Sequence, residues 1–309
     1  MQVLSEPEWR ARASAHAERV DARVVPHLER RADGLKHPVH DFLFTYYNHR
    51  PAQLRRWHPG FGVALEGADE LVELRGYDHG PAGATVSPTY VASQRRLLRQ
   101  LHLLLTATAR RTPQVGCFGL HEWAMVHRLP AEQVRHAAWP LRLGGAGTDA
   151  VVESHRIACS HFDAFRFFTP SARPLNTLQP RRDDRADFEQ PGCLHAGMDL
   201  YKHAFRLSPM VPSDLVADCF ELAWDIRALD MRASPYDLSA LTPGPGEDWS
   251  PVRIETAEGK REYATAQRAF ADRAAPLRAA LIGWCERLLD VADGAGGSGA
   301  SEERPLQKV

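Results

Sequence analysis

CLHAGMDLYKHAFRL, residues 193–207, reads as one helix stopped by Ser208-Pro209. His195, Asp199 and His203 are spaced i, i+4 and i+8 along it. At 3.6 residues per turn they fall within about 80° of one another, a single narrow stripe. Lys202 and Arg206 lie on the same side of the wheel. A cation there could meet a substrate carboxylate, Arg by a bidentate contact, or simply cap the carbonyl end of the helix.

The neighbouring segments read as helices too. Thr148-Asp149 is a plausible N-cap for TDAVVESHRIACSHFDAFRFF, a helix to about Phe168 on which Glu153 and His161 share one side. GLHEWAMVHRL, 119–129, is a third, with Glu122 able to face inward beside Val126 and Leu129. Further out, Ser5-Glu6-Pro7-Glu8 has capping-box spacing ahead of an Arg/Ala/Glu-rich helix ending near Gly34. A long helix is expected from Pro88 to about Arg110, another from Ser213, and a C-terminal one from Thr256 to about Val291. Residues 61–86 alone look strand-like and predict a small β-hairpin. The Pro-punctuated stretch between 169 and 192 reads as a loop long enough to be a functional cover. The class is mainly α. The expected organisation is an N-terminal helical region with the hairpin (1–115), a metal-binding core (116–235), a helix packing on it (236–291) and a flexible tail (292–309).

Composition narrows the function. The 309 residues carry 38 basic and 39 acidic side chains, a net charge of −1, which argues against a nucleic-acid or anionic-membrane footprint. Fifteen histidines are the excess that needs an account. Five cysteines without a CxxC point to neither a disulfide framework nor a thiolate zinc site. The N-terminus has no apolar signal core and no apolar run approaches membrane length, so a cytoplasmic protein is the default expectation.

Glu122, Glu153, His161, His195, Asp199 and His203 together supply three carboxylates and three imidazoles on three helices. Two divalent irons need about that set, carboxylates to bridge and neutralise charge and neutral imidazoles as terminal ligands. A single helical histidine is more often a packed residue than a ligand. A His-Asp-His stripe beside a second helix bearing Glu and His is harder to obtain by accident. Competing motifs fit less well: His121-Glu122 begins an H-E-x-x-H, but Met125 stands at its fifth position. The absence of any E-x-x-H disfavours the ferritin-type carboxylate bundle.

The motif His195-x3-Asp199-x3-His203, preceded by Glu153-x7-His161 and by Glu122, resembles that of the haem-oxygenase-like diiron oxidases and oxygenases. The resemblance covers about residues 120–207. It implies a haem-oxygenase-like helical bundle, here with an N-terminal helical extension, and a cofactor of two Fe(II) ions with O2 as co-substrate. It implies an oxidase acting on an unactivated C–H bond of a small aliphatic amino acid in natural-product biosynthesis, by desaturation or by C–N ring closure such as azetidine formation. His195, Asp199, His203, Glu153 and His161 would be iron ligands, with Glu122 the sixth or Glu189 in its place. Lys202 and Arg206 would bind substrate. An external electron donor and a homodimer are compatible with this picture.

The stretches HPVHDFLFTYYNHRPAQLRRWHPG (37–60) and HAAWPLRLGGAGTDAVVESHRIACSHFDAFRFFTPSARPLN (136–176) also resemble a group of bacterial proteins labelled 3-methyladenine DNA glycosylase. Neither a helix-hairpin-helix motif with its catalytic Asp, nor a helical repeat, nor a basic surplus supports that chemistry. Two other readings stay open: a mononuclear zinc or iron hydrolase using His121, His155 or His161, and a helical binding protein with structural histidines.

Overall fold

The computed structural model describes residues 1–134, 139–244 and 246–297. It is mainly helical with one small sheet. Strand β1 (Gln2–Leu4) leads into α1 (Glu6–Ala32), whose start is tied by the Ser5 N–H and hydroxyl, both donating to the Glu8 carboxylate at 2.9 and 2.6 Å. Two short helices follow, α2 (Phe42–Tyr46) and α3 (Pro51–Leu54). The expected hairpin is part of something larger. Strand β2 (Val63–Leu65), helix α4 (Asp69–Val72), and strands β3 (Tyr77–Gly80) and β4 (Gly83–Val86) join β1 in a sheet of order β1-β2-β4-β3. β1 pairs parallel with β2, Val3 opposite Ala64, and only β3–β4 is a hairpin. LVELRGY is therefore partly helical rather than a strand.

The helix expected over 88–110 breaks at Gln94 into α5 (Pro88–Ser93) and α6 (Arg95–Ala109). The 119–129 helix is one turn, α7 (Leu120–Ala124), entered through Gly119 at φ 68°. Helix α8 (Gly144–Glu153) ends where the sequence pattern continues. The cause is local: the Ser154 hydroxyl bonds the Val151 carbonyl at 3.1 Å, and His155 Nδ1 approaches the same oxygen at 2.6 Å. These side chains take over the carbonyl that the next turn would use. The chain then runs extended, pinned by a bridge between Ile157 and Asn176 and by the Cys159 N–H donating to Asn176 Oδ1 at 2.7 Å. It re-enters helix only for α9 (Phe162–Phe165). The expected single helix to Phe168 is thus two short ones with a non-helical link.

The long loop after it contains one-turn α10 (Arg185–Phe188). α11 (Leu194–Leu207) and α12 (Ser213–Arg232) form the central pair, and α13 (Ala257–Gly297) packs on both and on α5 and α6. α11 and α12 approach closely at Gly197, where a Cβ would lie 2.8 Å from Ile226 Cδ1. Almost all of α11 is buried, so its three polar stripe residues must find partners inside the protein. α13 extends past the expected end at Val291, and the tail beyond Gly297 lies outside the described residues. Among the described residues no helix is long and apolar enough to cross a membrane.

Candidate metal centre

The stripe on α11 forms as the spacing predicts, but its members look toward different partners. His195 lies against His121 of α7, ring centroids 4.5 Å apart, and both join Asp230 of α12. One ligand atom from each of these three buried residues falls within 4.8 Å of the others. His121 Nε2 is 2.9 Å from Asp230 Oδ1, an ion-pair distance when the imidazole is protonated, and neither atom has a hydrogen bond elsewhere. A buried imidazole nitrogen and carboxylate oxygen that face each other with no other hydrogen bond, with His195 beside them, suit a shared ion.

Charge around this group is balanced by Arg227. Its Nη1 donates to Asp230 Oδ2 at 2.7 Å and to Glu122 Oε1 at 2.8 Å, all three side chains being buried. Glu122 therefore stands next to the centre but is engaged by a cation. Burial would raise the Asp230 carboxyl, but the His121 imidazole and the Arg227 guanidinium hold it well below the ordinary carboxylate range. Burial would lower His121, and the Asp230 carboxylate instead raises it above its ordinary value. His195 goes the other way: burial, with His121 adding to it, pushes it well below, so its ring is neutral and free to ligate.

The second half of the stripe meets a second cluster. His161, in the extended link before α9, is fully buried with neither ring nitrogen hydrogen-bonded. Its Nε2 sits 3.4 Å from Asp199 Oδ2 and 3.5 Å from Glu189 Oε1. The His161 and His195 rings are 5.3 Å apart, so the two clusters adjoin. Asp199 is held by the Lys202 ammonium at 2.5 Å, Arg185 at 2.8 Å and the Tyr47 hydroxyl at 3.1 Å. Burial would raise its carboxyl, but Lys202, followed by His161 and His203, keeps it far below the usual range. His203 is buried with Nδ1 unpartnered, and burial drives its pKa down to about 3.

Five of the six expected ligands, Glu122, His161, His195, Asp199 and His203, thus lie in or beside one buried region. Glu153 does not. It is the last residue of α8, with its carboxylate 2.6 Å from Arg128 and 3.3 Å from His127, and its side chain is 44% exposed. The helical stripe that would have carried it inward ends at that residue. Glu189, the alternative, is buried beside His161. His121 and Asp230 complete the picture. In the sequence, His121 signals only the start of an H-E-x-x-H frame or a ligand of a mononuclear hydrolase. Asp230 carried one legible signal, an Arg-x-x-Asp pair on an otherwise apolar helix face.

A cavity of about 450 Å³ opens onto His195, Glu122 and Arg227. Phe42, Tyr46, Met125 and Phe167 form its apolar wall, and Asp163 and Arg166 its outer charged rim. The two expected substrate cations are placed otherwise. Lys202 is tied to Asp199 and Asp163, and Arg206 is exposed and does not line this cavity. Arg166 lines the cavity and they do not. No protein-family model, no curated protein and no solved structure matches this chain.

Proposed function

We propose that the protein is a non-haem, O2-dependent diiron oxidase acting on an unactivated C–H bond of a small aliphatic amino acid. One observation carries the reading: the buried His121–His195–Asp230 group, with His121 Nε2 and Asp230 Oδ1 2.9 Å apart and hydrogen-bonded to nothing else, its His195 lining an open cavity. The donor chemistry fits iron(II), two imidazoles with a carboxylate, and His161, Glu189 and Asp199 offer a second imidazole–carboxylate set alongside. His121, His195 and Asp230 would hold one ion, and His161, Glu189 and Asp199 the other. Bound iron would supply O2 activation and removal of hydrogen from the substrate.

The chain's own residues do the rest. Arg166, at the cavity rim, suits a substrate carboxylate, and Asp163 or Glu122 an ammonium. Phe42, Met125 and Phe167 exclude water around an aliphatic side chain and fix which C–H bond faces His195. Desaturation takes two hydrogen atoms from the substrate. Full reduction of O2 to two waters takes two further electrons and protons, which an external donor supplies.

The test is anaerobic loading with iron(II), followed by O2 and a panel of aliphatic amino acids. About two irons per chain, O2 uptake stimulated by one amino acid, and a product lighter by two hydrogens are expected. Iron binding unchanged in His195→Ala and Asp230→Asn would overturn the reading, as would O2 uptake indifferent to every amino acid.

A further inference from the structure

We propose that Arg185 and Lys202 form a cationic plug in the His161–Glu189–Asp199 seat, and that a divalent ion enters it only by displacing them. The proposal rests on the metal reading above. The atoms are specific. His161 Nε2 faces Glu189 Oε1 and Asp199 Oδ2. Those same two oxygens are the ones Arg185 grips, Nε on Glu189 Oε1 at 2.5 Å and Nη2 on Asp199 Oδ2 at 2.8 Å. Lys202 Nζ also takes Asp199 Oδ2, at 2.5 Å. The guanidinium thus holds the oxygens an ion would need, and the fully buried imidazole is left with no hydrogen bond.

The exchange balances in charge. Two buried carboxylates are neutralised by two monocations, and a divalent ion brings the same +2, so neither state leaves an uncompensated buried charge. The departing cations also have a place to go. Asp163 Oδ2 stands 3.3 Å from Lys202 Nζ and 4.0 Å from Arg185 Nη1, toward the open cavity. Arg185 reaches in from the one-turn helix of the long loop, so its withdrawal disturbs no core helix. By contrast, the cation beside the first seat, Arg227, holds Asp230 Oδ2 and leaves Oδ1 to face His121, itself a candidate ligand. The oxygen of the first seat meets a side chain that can itself bind the ion, and those of the second are held by side chains that cannot.

The test is cobalt(II) titration of the full chain, read by calorimetry and by the visible absorption of the bound ion. The wild type should take one ion tightly and a second weakly. Arg185→Gln and Lys202→Met should each tighten the second step by about tenfold or more, since each removes a competing cation, and leave the first step unchanged. Adding His161→Ala to Arg185→Gln should abolish the second step alone. Circular dichroism confirms folding, and Lys202→Met serves if Arg185→Gln does not fold. Two equally tight steps in the wild type would overturn the plug, as would a second step no tighter in either variant. Asp230→Asn separates the two readings. Loss of the first step in that variant upholds the metal centre whatever happens at the second. An Asp230→Asn/Arg185→Gln chain that still takes one His161-dependent ion upholds the plug on its own.

Discussion

Asp230→Asn keeps the shape of the side chain and removes one buried charge. Asp230 is 0% exposed, accepts from Arg227 at 2.7 Å and lies 2.9 Å from His121. The variant leaves Arg227 with Glu122 as its only carboxylate and His121 without the anion that raises its pKa. Breaking one side of a buried pair costs about 3–5 kcal/mol. The loss should depend on pH. His121 has a raised folded pKa, so its contribution is fully present below the unfolded value and fades as pH rises through the folded one. The gap between wild type and variant should be largest at pH 6, below the ordinary imidazole value, and smaller wherever pH has risen through the raised value of His121. Urea denaturation of the metal-free protein at pH 6 and 8.5 measures both numbers. An ion at a hundredfold excess over its dissociation constant should add about 2.7 kcal/mol to the wild type and nothing comparable to the variant. A variant within about 0.5 kcal/mol of wild type at pH 6, or one stabilised equally by metal, would refute the reasoning.

Three further outcomes are expected. Glu153→Gln should leave cobalt or iron stoichiometry and affinity unchanged, because Glu153 lies at the surface with Arg128; a lost ion in metal analysis would contradict this. His58 is held neutral by burial, its pKa pushed down to about 4, and its Nδ1 shares a hydrogen bond with the Tyr77 hydroxyl at 2.9 Å. The unfolded chain binds that proton first, so stability should fall as pH drops from about 6.5 toward 4. A denaturation series across that range checks it, and a His58→Gln variant should show a shallower fall. Gly197→Ala would set a Cβ 2.8 Å from Ile226 Cδ1, the end of a side chain that can turn aside, and Ala is the better helix former, so stability should stay within about 1 kcal/mol of wild type and ion binding, read by calorimetry, should be unchanged; a larger loss would show that α11 and α12 cannot give there.

What the sequence could reveal followed the reach of local rules. The α11 stripe was legible because nothing interrupts a helix between Cys193 and Ser208, and spacing alone then places His195, Asp199 and His203 together. The Glu153/His161 pairing failed because Ser154 and His155 turn back on the Val151 carbonyl, a competition that hydrophobic period does not report. His161 still reaches the cluster, by an extended link rather than a helix face. Asp230 was hard to single out among the other acids of α12, Asp214, Asp218, Glu221 and Asp225: its spacing from Arg227 was the one local hint, and the packing of α11 on α12 is what turns it inward. The parallel pairing of β1 with β2 joins residues about sixty apart in sequence, beyond any hairpin signal.

The contacts of α7 with the end of α12 tie two points far apart along the chain. Glu122 meets Arg227 across 105 residues, and the Trp123 indole donates to the Ala233 carbonyl across 110. Everything between them, α8 to α11 with His161, Glu189, Asp199 and His203, hangs as one loop from this neck. An ion shared by His121 and Asp230 would tie the neck in the folded chain alone, and so stabilise it through its own binding rather than through the loop entropy a disulfide removes from the unfolded chain. Unlike a disulfide, it could be drawn out with a chelator and put back. The centre would then be a reversible fastening of the fold as well as a place for chemistry.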